Sequence, residues 1–229
     1  MRITVTSSRR IRADQYDDVW QSIAEINQEF TSENTSINDK NLPALYSKIW
    51  NLLKPGTINV DYGGGRFDNV AEYLEQLDII SLVIDPFNRS SSHNQAVLEV
   101  LREAGGADTA TCANVLNVIK EKQNRIDVLK NIKRCVKPGG TIYFWIYEGG
   151  STRDTLNKDG SVKKQGVRKP EGETSKGYQL RWLTEDYLDE IRSVFPDAKQ
   201  KSRTSQMIIA TNSGSVSASR KMPDGLITL

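Results

Sequence analysis

Histidine and cysteine are nearly missing from this chain. Its 229 residues include one histidine, His93, and two cysteines, Cys112 and Cys135. A single imidazole and two distant thiols do not make the ligand sets that zinc takes, so no metal site is expected. The two thiols read as small core residues of a protein in a reducing, cytoplasmic compartment. Long apolar runs are also lacking. None approaches the roughly 20 residues of a membrane span. The opening "MRITVTSSRR" has no apolar segment of the secretory kind. Excess charge is absent: 31 Lys and Arg against 29 Asp and Glu leave a net +2, which does not by itself announce a nucleic-acid partner. There is no internal repeat, and the "TSENTS" cluster is too short to be low complexity. The length suits one domain with trimmings and is enough to bury a sizeable core.

What is present alternates. "TINV" leads into three glycines and then "FDNVAEYLEQL", in which Val70, Tyr73, Leu74 and Leu77 share one helical face. "IISLVID", Ile79 to Asp85, is apolar without alternation, as a strand covered on both faces reads. A helix follows, with Ser92 and Gln95 at capping-box spacing and Gly105 as its stop. "ADTATCANVLNVI" reads as a strand running into a loop, residues 121–136 as a helix, "KPGG" as a turn, and "TIYFWIY" as a further strand. Strand and helix in alternation argue a mostly parallel sheet with helices on both faces. Towards the C-terminus, "TEDYLDEIRSVF" predicts a helix capped by Thr184, and "AKQKS" with "QMIIAT" an antiparallel hairpin. Upstream, residues 14–30 and "LPALYSKIWNLL" read as amphipathic helices. The expected organisation is a helical extension over 1–56, a core domain over 57–211 with a basic insertion at 149–181, and a polar tail over 212–229.

The glycines, Gly63 to Gly65, fall where open parallel sheets bind ligands, beyond the carboxyl end of a strand. They are bracketed by Asp61 and Asp68, and Asp68 stands where a dinucleotide fingerprint needs its last glycine. Two acids beside a pyrophosphate are costly. S-adenosylmethionine has no phosphate and carries a sulfonium and an ammonium group, so it favours carboxylates nearby. Asp68 also reads as the N-cap of the next helix. A nicotinamide-dependent oxidoreductase is disfavoured by Asp68 and by the lack of a recognisable catalytic pair.

"INVDYGGGRF", "LVIDPF", "ATCANVLNVI" and "VKPGGTIYFWIY", in this order, resemble the class I S-adenosylmethionine-dependent methyltransferase family. The resemblance covers about residues 57–147 well and 182–211 loosely, with Phe67 at the place of a frequent third glycine. It implies a Rossmann-like doubly wound fold and S-adenosyl-L-methionine as cofactor. Asp61, Tyr62 and the Gly63, Gly64, Gly65 loop would hold its methionine part. Asp85 and Pro86 would lie at the ribose, and Ala113, Asn114 and Val115 beside the adenine or sulfonium. The catalytic residue is not readable; the candidates are Asn114, Asn117, Tyr147 and Glu148. Between Asp85 and Asp108 there is room for one helix only, so the family's third strand is expected to be missing. In this respect the chain looks similar to phage-encoded and DNA-phosphorothioation-associated methyltransferase-like proteins, a pointer to nucleic acid.

The insertion from Gly149 to Arg181 carries eight cations, among them Lys163, Lys164, Arg168 and Lys169, against four acids. Tyr178 and Trp182 close it. Cations for phosphates and aromatics for bases suggest a nucleic-acid-facing lid; a solvated surface loop is the plainer reading, with Trp182 as an anchor in the core. The expected function is methyl transfer to nucleic acid or, as a close second, to a small molecule. The alternative is a non-catalytic cofactor- or nucleic-acid-binding protein on this fold.

Overall fold

A computed structural model describes residues 26–30, 41–149, 153–167, 172–174 and 177–214. The centre is a six-stranded sheet. Its strands are β1 (Thr57–Tyr62), β2 (Ile79–Ile84), β3 (Ala107–Ala113), β4 (Val136–Trp145), β9 (Lys199–Gln200) and β10 (Met207–Thr211), in the order β2-β1-β3-β4-β10-β9. The first four run parallel, and β10 is antiparallel to both β4 and β9. Register aligns Asp61 with Val83 on one side and Thr111 on the other, and continues from Thr111 to Tyr143.

Helices cover both faces. On one, the short α1 (Tyr46–Ile49) and α2 (Asn69–Glu75) bury Tyr46, Ile49, Val70 and Leu74 against Ile79, Tyr143 and Met207. On the other, α3 (Ser91–Ala104), α4 (Lys122–Cys135) and α5 (Leu188–Arg192) pack Val97, Leu101, Leu129, Ile132 and Ile191 on Val60, Ile84 and Phe144. The chain is thus doubly wound and Rossmann-like, with its antiparallel strands at the C-terminal end. No helix among the described residues is long and apolar enough to cross a membrane.

The expected absence of a strand after β2 holds: residues 86–106 contain only α3, and β2 is the sheet edge. An edge leaves backbone groups unpaired. Here Gly63 N–H takes the Ile84 carbonyl, so the Val83 and Asp85 backbone groups point outward. Side chains of α3 cover them. Asn94 accepts from Asp85 N–H and donates to Asp85 C=O, both at 3.0 Å, as a strand neighbour would. The His93 Nε2–H donates to the Val83 carbonyl at 3.0 Å.

Several local expectations shift. The α3 cap is Ser90, whose Oγ accepts His93 N–H, two residues before the expected one. "LPALYSKIWNLL" narrows to the one-turn α1 between turns. The "KPGG" turn is absorbed into β4 as an irregularity with Gly139 at φ +83°. Thr184 does not cap its helix. The segment starts as a 3-10 turn, Thr184–Tyr187, with Asp186 Oδ2 accepting Leu183 N–H, because the Thr184 hydroxyl is committed elsewhere. Of the helix expected over 14–30, residues 14–25 lie outside the described residues, and 26–30 are not helical. Asn212, expected to begin the tail, is buried and donates to the Lys133 and Val136 carbonyls; residues 215–229 lie outside the described residues.

Replacing Asn94 with alanine should strip the Asp85 N–H and C=O at once. The expected loss of stability is about 1–3 kcal/mol, read from urea unfolding; an unchanged midpoint would show that the edge needs no such cover.

Candidate functional site

The strand order reverses between β1 and β3, and the crevice beyond the carboxyl ends at such a switch point is where these sheets take ligands. The Gly63–Gly65 loop forms one wall. Gly63 and Gly65 have φ of +77° and +80°, a region that L side chains avoid. A Cβ on Gly64 would lie 2.6 Å from Asp61 Oδ2 and 3.0 Å from a Val83 methyl, so glycine is required there by space. Val115, after β3, packs onto Gly63 from the other wall.

The loop is held by the turn that follows β2. Gly65 N–H donates to Asp85 Oδ2 at 2.9 Å. Arg89 Nε donates to the Gly65 carbonyl at 2.8 Å, and its Nη2 to the Phe67 carbonyl at 3.0 Å and the Asp68 carboxylate at 2.6 Å. Asp68 therefore pairs with Arg89, and its side chain makes no capping bond to α2. The Asp85 carboxylate also accepts Phe87 N–H and Asn88 N–H on Oδ1, at 3.0 and 2.9 Å, and the Asn88 amide on both oxygens at 3.2 Å. A carboxylate has about four lone-pair sites, so the chain itself fills nearly all of them. The sequence offered no sign of Arg89 as a functional residue; its only trace is a cation a few residues past the acid that ends β2.

Asp61 sits beneath the loop, 3% exposed. Its Oδ1 accepts from Thr111 Oγ1 at 3.1 Å. Thr111 in turn meets the Tyr46 hydroxyl at 2.8 Å and the Asn59 amide at 3.0 Å. Either hydroxyl of the Tyr46–Thr111 pair can be the donor. No cation pairs with Asp61 among the described residues. Burial pushes its carboxyl up to about 6, against the hydrogen bonds of Tyr46 and Thr111; Asp85 nearby pushes the same way, and Arg89 opposes it. Burial and the Asp61 charge hold the Tyr46 phenol well above its ordinary range, so it stays protonated.

The remaining expected residues divide. Tyr62 has its ring buried and its hydroxyl on the Asn131 amide, so only its backbone borders the loop. Pro86 is exposed beside the clamp, and Ala113 is partly buried at the end of β3. Asn114 is exposed at φ +60°, its N–H on the Trp145 carbonyl. Tyr147 is 47% exposed. Asn117 is buried and tied to the insertion: its carbonyl accepts Leu180 N–H and its amide meets Gln179. Glu148, 3% exposed, accepts from Arg153, Thr184 N–H and the Thr184 hydroxyl. Arg153 also binds Glu185 and the Arg203 carbonyl. Asn117 and Glu148 thus anchor the insertion to the core. Tyr178 is buried and stacks on Phe30, with centroids 5.8 Å apart. Trp182 packs on Tyr187 and the Arg125 guanidinium. The Tyr178 ring is thereby withdrawn from a base, and the Trp182 ring is half-buried. Lys163 and Lys164 stay exposed on a hairpin of β5 (Thr155–Leu156) and β6 (Val162–Lys164), while Arg168 and Lys169 lie outside the described residues. A second hairpin joins β7 (Gly172–Thr174) to β8 (Gly177–Gln179). Cys112 and Cys135 are buried, and burial raises both thiols, that of Cys135 to about 12.

Between about pH 4 and 6 the folded chain keeps a proton on Asp61 that the unfolded chain has released. This group therefore lowers stability as pH rises through that window. Unfolding free energies of the parent and of Asp61→Asn should diverge across it by on the order of 2 kcal/mol in favour of the variant at the high end; parallel pH profiles would refute the buried acid.

No protein-family model matches the sequence, and no curated protein matches it. Solved structures resemble its shape. A methyltransferase dependent on S-adenosylmethionine from Aquifex aeolicus matches at 13% identity and TM-score 0.45, over 78% of this chain and 95% of that one. A TehB-like methyltransferase with the same dependence from Corynebacterium glutamicum matches at 14% identity and TM-score 0.43, over 86% and 95%. Phosphoethanolamine N-methyltransferase 2 of Haemonchus contortus, in complex with S-adenosyl-L-methionine, matches at 16% identity and TM-score 0.41, over 71% of this chain and only 40% of its own length. At such identities these likenesses do not bear on what this chain acts on.

Proposed function

We propose that the chain is a class I S-adenosylmethionine-dependent methyltransferase. One observation carries the reading: a buried Asp61, with no ion pair among the described residues, under a glycine loop that has spent two of its three N–H groups. Gly63 N–H is on the Ile84 carbonyl and Gly65 N–H on Asp85. The helix beyond the loop is short and begins only at Asn69. A pyrophosphate would find an acid and few free N–H groups there. A ligand ammonium would instead supply the charge that Asp61 lacks, and a methyl donor of this kind carries one.

The chain's residues fit the two ends of that cofactor unequally. Asp61, the Gly63–Gly65 loop and Val115 would hold the methionine part. Asp85 would reach a ribose hydroxyl only by releasing the Asn88 amide, whose 3.2 Å contacts are its longest. When bound, the cofactor supplies an electrophilic methyl on a sulfonium; an acceptor lone pair takes it as the carbon–sulfur bond breaks to leave a thioether. Asn114 and Tyr147 border the crevice without a partner that would make either a base. Positioning is then the chain's main contribution. Tyr178 is buried and Trp182 half-buried against Tyr187 and Arg125, so the insertion's exposed cations are what it chiefly offers nucleic acid, which favours a small-molecule acceptor.

Calorimetry should detect S-adenosylhomocysteine and not NAD, with affinity rising as pH climbs to about 6 and level above it, because the cation needs the ionised Asp61. Asn88→Ala should leave that affinity intact or tighten it, while Asp85→Ala should weaken both binding and folding. Tight NAD binding with no response to the methyl donor would overturn the reading. Binding without transfer of a tritiated methyl to DNA, RNA, protein or metabolite pools would favour the non-catalytic alternative.

If the insertion does serve nucleic acid, Lys163→Gln with Lys164→Gln should lower affinity and reduce the slope of log K against log salt by about two. Equal salt slopes in parent and variant would remove the hairpin from any such contact.

A further inference from the structure

Beside the cofactor crevice, along the same edge of the sheet, lies a cavity of about 740 Å³. That volume is in the range of small-molecule sites. Its walls come from four places: Lys48 next to the α1 core, Trp145 and Glu148 at the end of β4, Arg153 at the root of the insertion, and the β9–β10 turn with Lys201 and Ser202. Trp145 connects it to the crevice. Its register partner across the sheet is Ala113, and its carbonyl holds the N–H of Asn114. A molecule in the cavity therefore sits one strand over from the loop that borders the proposed cofactor.

The charge of the lining is one-sided. Among the described residues Glu148 is the only acid in it, and Arg153 and Thr184 occupy its oxygens. Arg153 is spent on Glu148 and Glu185. Lys48 and Lys201, both exposed, line it from different elements, α1 and the β9–β10 turn, and neither has an ion-pair partner among the described residues. Hydroxyls of Ser202, Thr204 and Ser205 add donors on the turn side. Two unspent ammonium groups facing one cavity favour an anion between them. The position of the turn is itself fixed, since Arg153 donates to the Arg203 carbonyl at 2.9 Å and the Gln200 amide to Ser205 C=O at 2.6 Å.

We propose that this cavity is the acceptor site and that the acceptor is a small molecule bearing a phosphate or carboxylate, seated between Lys48 and Lys201. The assignment of the anion as acceptor rests on the methyltransferase reading; the anion site itself does not. Glu148 and Arg153, tied to each other and to Glu185, hold the lining in place and take no part in the chemistry.

The test uses the full chain and two independent probes, inorganic phosphate and S-adenosylhomocysteine, with the Lys48→Gln and Lys201→Gln variants singly and together. Millimolar phosphate should raise the parent's melting temperature and broaden the phosphate resonance in ³¹P NMR. The double variant should lose about tenfold in phosphate affinity and keep its affinity for S-adenosylhomocysteine. Replacing both lysines with arginine should retain phosphate binding. Phosphate bound equally by parent and double variant, or by neither, overturns the site. Loss of phosphate binding in a protein that does not bind S-adenosylhomocysteine keeps the anion site and removes its role as acceptor site. In methyl-transfer assays on fractionated extracts, tritium should enter small molecules retained by an anion exchanger, and the double variant should label them about tenfold less. Label appearing in nucleic acid, unaffected by the double variant, overturns the assignment.

Discussion

Everything at the carboxyl edge of this sheet depends on how Gly65 is held. One turn after β2 grips it from both sides: Asp85 takes its N–H and the Arg89 guanidinium takes its C=O. A loop of three glycines has more backbone freedom to lose than any other sequence of its length. Charge-assisted hydrogen bonds from a planar fork are the kind of contact that can hold it. Arg89 reaches three oxygens at once, on Gly65, Phe67 and Asp68, which the single ammonium of a lysine cannot reproduce. The clamp keeps Gly64 against Asp61 and leaves that acid buried without a counter-charge. The acid's raised pKa is thus a consequence of the loop's shape.

A second set of bonds does the same for the far side of the edge. Glu148 follows β4, and its carboxylate accepts from Arg153 and Thr184. Arg153 then reaches Glu185 and the β9–β10 turn. Deeper in, the Arg125 fork binds Glu190 through two contacts at 2.8 and 2.7 Å and joins α4 to α5, beneath Trp182. Of these acids, Glu148 is the one the sequence offers as a candidate base. Arg153 and Thr184 occupy its oxygens, and a carboxylate with its lone pairs occupied has few to offer a substrate.

This division explains what the sequence made legible. β2 and the second half of β4 were readable because strands buried on both faces are apolar runs; the start of β4 was not, because Lys137 to Gly140 read as a turn. The missing strand was readable because 20-odd residues hold one helix and no more. Asp61 and the glycines were readable as a pattern along the chain. The clamp was not, because it pairs residues from different turns with no periodicity to mark them. Tyr178 misled for a related reason: it follows a polar, basic stretch, and Phe30, on which it stacks, is distant in sequence. Trp182 packs on Tyr187 and Arg125, as the plainer reading had it. α1 fell short of its helical pattern because the spacing of Leu45, Tyr46, Ile49 and Leu53 secures burial on the sheet without requiring a continuous helix.

On the proposed reading, the charges of the two sites anchor molecules more than they speed a reaction. An ammonium held by Asp61 is present before and after a methyl leaves, and an anion held by Lys48 and Lys201 is equally unchanged. Interactions equal in ground and transition states bring reactants together without lowering the chemical barrier between them. What remains to the chain is the distance and alignment between the two sites, and reaction rates fall steeply when that geometry is about 1 Å wrong. That distance is spanned by Ala113, Asn114 and Trp145, with the left-handed Asn114 pinned by its N–H to the Trp145 carbonyl at 2.8 Å. Asn114 adopts at φ +60° a conformation that asparagine tolerates better than most residues. Its contribution then lies in the backbone that joins the two sites, and its amide is secondary.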